Sequence, residues 1–203
     1  MKITFYILAL AVMTSCGNTS KTAKDPIAQS TPTEAAPVLT EAASTAPTLA
    51  KAPRAQQSNM IVGQFQKEDL QEEPYSSWFN SSYESYSPSK EAMETIKKNI
   101  SDYEIVAFMG TWCPDSRREV PHFFKILDQA NYDLSKLKII GVDRSKTTPD
   151  NLQEGHSIKR VPTFIFYKNG KEVNRYVEYA KESLAEDIAA IVSGREYKNS
   201  YAE

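Results

Sequence analysis

Apolar runs of strand length and apolar stripes at helical spacing alternate along the second half of the chain. Residues 105–109 form an unbroken apolar run, which is typical of a strand covered on both faces. The next segment repeats apolar residues at i, i+3, i+4 and i+7, which predicts a helix with one buried face: Val120, Phe123, Phe124 and Leu127. A second buried strand is predicted over 138–142. The Asn-Gly pair at 169–170 predicts a hairpin between strands 163–167 and 172–177.

Three further helices are predicted from local start and stop signals. The Ser-Pro pair at 87–88 indicates an N-cap followed by proline at the first helical position. The Thr-Pro pair at 148–149 predicts a short polar helix, and a last helix is predicted over 181–192, ending before Gly194. The order α-β-α-β-α-β-β-α indicates an α/β fold, with a mixed central sheet, helices on both faces, a closing β-hairpin and a C-terminal helix.

The first 16 residues have the pattern of an export signal. Lys2 precedes a short apolar run at 3–12, far below the roughly 18–20 residues that a membrane-spanning helix needs. The small residues before Cys16 resemble the lipobox of bacterial lipoproteins. That resemblance implies that Cys16 carries fatty-acyl chains such as palmitate, becomes the mature N-terminus and anchors the protein to a membrane of the bacterial cell envelope, with the rest facing the periplasm or the exterior. The alternative is an ordinary secretory signal with an incidental cysteine.

Composition divides the rest of the chain. Residues 17–58 are rich in Thr, Ala and Pro and almost free of large apolar side chains, which predicts a disordered tether. Residues 59–86 form an N-terminal extension that either packs on the domain or lines a contact surface. After Phe65 it has an aromatic-rich stretch, with Tyr75, Trp78, Phe79, Tyr83 and Tyr86. The domain itself is predicted over 87–195, followed by a tail at 196–203.

The net charge and the numbers of cysteine and histidine residues argue against nucleic-acid binding and against a metal centre. A net charge of −2 and an isoelectric point near 5.8 give no basis for a nucleic-acid partner, which would need clustered Lys and Arg. Two cysteines and two histidines are a poor supply for a metal site, because a structural zinc centre alone takes four ligands, usually of those two residue types. We therefore expect no metal and no cofactor. His122 and His156 are interpreted as surface or packing residues.

Three proline-containing features give the chain a resemblance to the thioredoxin family. Trp112-Cys113-Pro114-Asp115-Ser116, between a predicted strand and helix, resembles the thioredoxin active-site turn. Pro121 lies where the family has a helix-kinking proline, and Val161-Pro162-Thr163 lies where it keeps a cis-proline. The resemblance covers about 87–194. It implies a thioredoxin fold with Cys113 as nucleophile, Pro162 cis beside it, and substrate contacts from four residues: Trp112, Pro114, Val161 and Thr163.

The departures from the family pattern are equally specific. Ser116 replaces the second active-site cysteine, so that the motif is C-x-x-S. Ala107 occupies the position of a buried carboxylate that in many thioredoxins helps deprotonate that second cysteine. Val177 stands about where the family has a glycine that admits the substrate backbone. Loss of the carboxylate together with the second cysteine is coherent, because no resolving thiol remains to be deprotonated.

A lone Cys113 at a helix N-terminus suits thiol–disulfide exchange. Unpaired N–H groups and the helix dipole favour the thiolate, which is the nucleophile. The Ser116 hydroxyl is expected to donate a hydrogen bond to the sulfur. A mixed disulfide formed at Cys113 would be resolved from outside, by the substrate's second thiol or by a small thiol. The expected partners are exported cysteine-containing proteins or small thiols.

Other functions are weighed against this one. The domain would otherwise be a redox-inactive module that holds an exported partner in the former substrate groove. A thiol peroxidase is disfavoured because such enzymes carry Thr or Ser three residues before the reactive cysteine, where this chain has Gly110. Asp115, Arg117 and Arg118 either tune the sulfur or form an ordinary solvated helix start.

Overall fold

The computed structural model of the protein describes residues 60–202. The predicted signal segment 1–16 with Cys16, and the predicted tether 17–58, lie outside the described residues. Within the described part, no helix is both long enough and apolar enough to cross a membrane.

Ten principal elements build the described domain. Its strands are Gly63–Phe65 (β1), Glu104–Met109 (β2), Leu137–Gly141 (β3), Thr163–Lys168 (β4) and Lys171–Val177 (β5). Its α-helices are Lys67–Leu70 (α1), Ser76–Ser85 (α2), Lys90–Asn99 (α3), Pro114–Gln129 (α4) and Leu184–Val192 (α5). The strands form one sheet in the order β1-β3-β2-β4-β5. Only β2 and β3 run parallel, and the other three pairs are antiparallel. The predicted mixed sheet, closing hairpin and C-terminal helix are therefore confirmed.

Side chains alternate between the two faces of the sheet, as the strand period requires. On β2, Ile105, Ala107 and Met109 join the larger core, to which α2, α3, α4 and α5 also contribute. Phe108 points to the other face, where it packs with Ile140, Ile165 and Cys113 in a second cluster. That second face is covered by the turn-rich segment 143–160, through Leu152 and Ile158. The predicted arrangement of helices on both faces is therefore not found in the described residues, because turns stand where a helix was expected on this face.

The prediction of a short helix from the Thr-Pro pair at 148–149 is wrong, because this segment forms turns. The Thr148 hydroxyl oxygen accepts a hydrogen bond of 2.8 Å from the Leu152 amide, and its backbone N–H donates to the Gln153 side chain at 3.0 Å. Asn151, Gly155 and Ser157 have positive φ angles, which a right-handed helix excludes. Side-chain bonds to nearby backbone thus hold this segment in a series of turns.

Two helices begin later than their sequence signals suggest. Ser89, rather than Ser87, is the N-cap of α3, and its hydroxyl accepts from the Ala92 amide at 3.1 Å. Ser183 caps α5 in the same way, accepting from the Glu186 amide at 3.2 Å, so that the helix begins at Leu184 rather than near 181. In both cases a serine hydroxyl satisfies an amide that the first turn leaves unpaired.

The aromatic stretch before the predicted domain packs on the sheet and on α4. Gln64 pairs with Ile140 across the antiparallel β1–β3 edge. Phe79 is buried on α2, with its ring 6.0 Å from that of Phe124 on α4. Of the two interpretations left open by the sequence, the packing one is therefore confirmed for Phe79. Trp78 is only half-buried.

Candidate active site

The turn between β2 and α4 places Cys113 at the start of a helix. Cys113 is the N-cap residue of α4, with extended backbone angles, and Pro114 occupies the first helical position. The Cys113 amide donates to the Gly110 carbonyl at 2.9 Å, and its carbonyl accepts from the Arg117 amide at 3.0 Å. The predicted position of Cys113 at a helix N-terminus is therefore confirmed.

The Cys113 sulfur faces a carbonyl oxygen across the groove. Its thiol donates to the Val161 carbonyl at a distance of 3.2 Å, and the whole residue is only 6% exposed. The helix N-terminus favours a thiolate, whereas a carbonyl acceptor favours the protonated thiol that donates to it. The sulfur thus lies where a Cys113 thiol can donate to the Val161 carbonyl.

The peptide bond after Val161 is cis, as the sequence predicts for Pro162. The Pro162 carbonyl accepts from the Glu178 amide at 2.7 Å, which joins this loop to the end of β5. Thr163 is buried and donates its hydroxyl to the Arg160 carbonyl at 2.7 Å. These bonds hold the Val161 carbonyl in its position beside the sulfur.

Ser116 makes a different contact from the one expected. Its buried hydroxyl oxygen accepts a hydrogen bond of 3.1 Å from the Gly110 amide, across the active-site turn. The expected donation to the Cys113 sulfur is not among the hydrogen bonds of the described residues. Ser116 therefore fixes the backbone of the turn that presents Cys113.

Trp112 covers the turn on its outer side. Its indole N–H donates to the Val142 carbonyl at 2.9 Å. A Cβ atom on Gly110 would lie 2.6 Å from two atoms of the indole ring, so only glycine fits beneath it. The guanidinium of Arg144 lies 5.2 Å from the ring centroid, within cation–π range.

A family model described as thioredoxin matches residues 63–190, which is more than half of the chain. The chain belongs to the thioredoxin family. Its mixed five-stranded sheet, with Cys113 at the N-terminus of α4 and a cis-proline facing it, is a thioredoxin fold.

The curated relatives named here each match less than half of the chain. Protein disulfide-isomerase A5 of Mus musculus is 32% identical over 83 residues, which are 41% of this chain and 16% of that protein. The chain thus spans about one sixth of that relative. Thioredoxin of Gallus gallus is 27% identical over 105 residues, which cover 46% of this chain and 94% of that protein. Among solved structures, Fasciola hepatica thioredoxin is 25% identical with a TM-score of 0.33, covering 47% of this chain and 86% of its own.

The first turn of α4 in this thioredoxin domain carries paired charges. Arg118 bonds Asp115 at 2.8 Å and Glu119 at 2.7 Å. The Arg117 guanidinium donates to the Thr111 carbonyl at 2.6 Å. Asp115, Arg117 and Arg118 thus pair locally within the helix start and its turn, as expected of an ordinary helix start rather than of groups that tune the sulfur.

Two buried polar residues, one in the turn and one in α4, were not singled out from the sequence. Thr111 is fully buried, and its hydroxyl oxygen accepts from the Ile61 amide at 3.2 Å. Glu119 is buried on α4, and burial raises the pKa of its carboxyl although Arg118 opposes the shift. It lies four residues before Phe123 and seven before Ile126, so helical spacing, which places it on the buried face, is the signal that could have found it.

Both histidines of the thioredoxin domain pack against aromatic rings. His122 stacks on Tyr86 with ring centroids 4.1 Å apart, and burial, with a contribution from Arg118, lowers the pKa of His122 to about 4. The His156 ring lies 5.1 Å from that of Phe108, and its Nδ1 is 3.0 Å from the Tyr167 hydroxyl. Across residues 60–202, no group of three or more His, Cys, Asp or Glu side chains is arranged to hold a metal ion.

Proposed function

We propose that this protein is a monothiol thioredoxin, tethered to a membrane, that forms mixed disulfides through Cys113. The observation that carries the proposal is the placement of the Cys113 sulfur at the start of α4, 3.2 Å from the carbonyl that precedes cis-Pro162. Ser116 lies where a resolving cysteine would stand. The other cysteine of the chain, Cys16, belongs to the signal-like segment.

The proposed chemistry balances without a second active-site thiol. The Cys113 thiolate attacks one sulfur of a substrate disulfide, the substrate S–S bond breaks, and its electron pair leaves on the other sulfur, which takes up a proton. If a different thiol of the substrate attacks the adduct, a new substrate disulfide forms, Cys113 is regenerated, and the substrate disulfides are rearranged with no net redox change. If two small thiols act in turn instead, they leave as a disulfide and the substrate is reduced.

The contact between Cys113 and Val161 links substrate binding to activation. An extended substrate segment alongside residues 161–162 can offer a backbone N–H to the Val161 carbonyl. That N–H is a stronger donor than a thiol, so it displaces the S–H and removes the interaction that holds the proton on sulfur. The helix N-terminus then favours the thiolate at the moment when a disulfide is within reach.

An isomerisation assay tests the proposal. The full chain with Cys16→Ser, in which Cys113 is the sole thiol, is expected to restore activity to a model protein with scrambled disulfides when a small thiol is present. The matched control adds Cys113→Ser and should give only the rate of the small thiol. Equal rates for both chains would contradict the proposal.

The membrane tether rests on the resemblance of the segment before Cys16 to a lipobox. Metabolic labelling with an alkyne fatty acid is expected to label the wild-type chain and the Cys113→Ser variant, but not the Cys16→Ser variant. The same Cys16→Ser variant should leave the membrane fraction. A wild-type chain without label would contradict the membrane tether. It would not affect the proposed thiol chemistry of Cys113.

The burial of Cys113 favours a second candidate, a redox-inactive module that holds a partner in the groove. A thiol that is 6% exposed and bonded to a carbonyl is shielded from reagents. Under this alternative, Cys113→Ser would retain every partner bound by wild type, and no partner would survive denaturation. The exchange mechanism instead requires partners that stay attached to the wild-type chain under non-reducing denaturation and are lost from Cys113→Ser.

A further inference from the structure

The C-terminal tail returns from α5 to the loop beside the active site. The Tyr197 hydroxyl donates to the Asp187 carboxylate at 2.9 Å. The Tyr197 backbone carbonyl accepts a hydrogen bond of 2.9 Å from the Asn174 side chain on β5. Farther along, the Ser200 hydroxyl donates to the Tyr179 carbonyl at 2.9 Å. The tail is thus held along the end of β5 by side-chain bonds at separated points.

Tyr201 ends this path against the residues next to the cis-proline. The Arg160 guanidinium lies 4.0 Å from the centroid of the Tyr201 ring, and the Tyr179 ring stands edge-on to it at 5.5 Å. The Tyr201 hydroxyl donates to Glu178, whose carboxylate also pairs with Arg160 at 3.1 Å. We call Tyr179, Tyr201 and Arg160 the tail platform.

The tail platform is continuous with the reactive sulfur. Arg160 directly precedes Val161, whose carbonyl accepts the Cys113 thiol. Glu178 donates its amide to the Pro162 carbonyl at 2.7 Å. A polypeptide joined to Cys113 and running along the loop from Val161 toward Arg160 would therefore bring residues near its own cysteine over Tyr201.

The tail platform is exposed and nearly neutral. Tyr179 is 46% exposed and Tyr201 39%, and in the described part of the chain the other exposed large hydrophobic residues are Leu134 and Val173. The positive charge of Arg160 is offset by Glu178. Two exposed rings with no net charge beside them suit an apolar or aromatic side chain rather than a charged one.

We infer that the tail platform is a specificity site for the polypeptide bound at Cys113, and that it takes an apolar or aromatic side chain next to the substrate cysteine. The inference rests on the proposed thiol exchange, because the disulfide bond to Cys113 is what brings that segment over Tyr201. It assigns to the C-terminal tail a part in choosing substrates.

Two peptides test the inference. Each carries one cysteine as a mixed disulfide with 2-nitro-5-thiobenzoate, and the cysteine is flanked on both sides by Phe in one peptide and by Ser in the other. Attack by Cys113 breaks the peptide–thiobenzoate S–S bond, forms a Cys113–peptide disulfide and releases the coloured thiolate, so the rate is read directly. The protein is the full chain with Cys16→Ser.

The Phe peptide is expected to react about threefold to tenfold faster than the Ser peptide, the range of an aromatic pair. Tyr179→Ala with Tyr201→Ala should make the two rates equal, whereas Tyr179→Phe with Tyr201→Phe should keep the preference. Leu134→Ala with Val173→Ala, the matched control at exposed apolar sites elsewhere, should also keep it.

Three outcomes separate the inference from the proposed function. No preference in the parent chain, or a preference that survives the double alanine variant, overturns the tail platform while leaving thiol exchange intact. No release from either peptide by the parent chain, beyond that of the Cys113→Ser control, overturns the exchange mechanism and the inference with it.

Discussion

The Cys113 thiol donates to the Val161 carbonyl across 3.2 Å, although 48 residues separate the two in the chain. This contact joins the start of α4 to the cis-proline loop and defines the resting state of the candidate nucleophile. Because the same carbonyl is a natural acceptor for an extended substrate, the contact is also the one that substrate binding would replace.

Ser116→Cys is expected to create dithiol reductase activity. It restores a resolving thiol at the fourth position of the motif, so the mixed disulfide can be released internally. The measurement is reduction of insulin disulfides driven by dithiothreitol, with Ser116→Ala as the matched control. A folded Ser116→Cys chain that reduces insulin no faster than Ser116→Ala would show that the scaffold no longer supports exchange.

Ser116→Ala is expected to destabilise the fold by about 1–2 kcal/mol, because it leaves the buried Gly110 amide without its acceptor. The free energy of unfolding is measured by urea titration. Ser77→Ala, at an exposed position on α2, is the control and should stay within about 0.5 kcal/mol of the parent. Equal values for the two variants would contradict the role of Ser116 in holding the turn.

Gly110→Ala is expected to cost about 1–3 kcal/mol, because the new methyl group overlaps the Trp112 ring and forces it off the Val142 carbonyl. Combining Gly110→Ala with Trp112→Ala should cost less than the sum of the two single changes, since the clash disappears with the ring. Urea titrations followed by circular dichroism give all three values. Strict additivity would mean that the ring is not the obstacle.

The lowered pKa of His122 predicts that the free energy of unfolding rises with pH between about 4 and about 6.5. Its folded pKa is about 4 and its ordinary value is 6.5, so in this interval the unfolded chain binds the proton more readily than the folded one. Since the ring is only half-buried, we expect on the order of 1–2 kcal/mol across the interval.

His122→Phe keeps a ring on Tyr86 and removes the titration. The difference in unfolding free energy between this variant and the parent should therefore change with pH in that interval and be constant above it. His156 remains in both chains and cancels. An NMR titration that finds His122 protonating near pH 6.5 would contradict this account.

The sequence predicted those strands, helices and turns whose signals lie within a few consecutive residues. Asn169 and Gly170 have positive φ angles of 53° and 72°, as the Asn-Gly hairpin signal requires. The apolar run at 105–109 and the stripe around Phe123 lie in β2 and α4. Cys113 at the helix start and cis-Pro162 followed from the resemblance to thioredoxins.

Contacts between distant segments could not be predicted. Ser89 and Ser183 cap their helices two and about three residues from the predicted starts, and a difference of that size is not visible in the sequence alone. At Thr148, the side-chain hydroxyl accepts a hydrogen bond from the Leu152 amide, which the Thr148 carbonyl would accept in a helix. The return of Tyr201 to Arg160 depends on the finished sheet, because the two lie 41 residues apart along the chain (201 − 160 = 41).

The central claim is that Cys113 forms a disulfide with a polypeptide and releases it only to an external thiol. The most direct measurement is the intact mass of the Cys16→Ser chain after incubation with the disulfide-linked dimer of a peptide that has a single cysteine, before and after glutathione is added. The bound peptide then carries no second thiol of its own. The account predicts one peptide adduct per chain, absent from Cys113→Ser, stable without glutathione and lost with it. A chain that gains no adduct would contradict the account and leave the domain as a binding module.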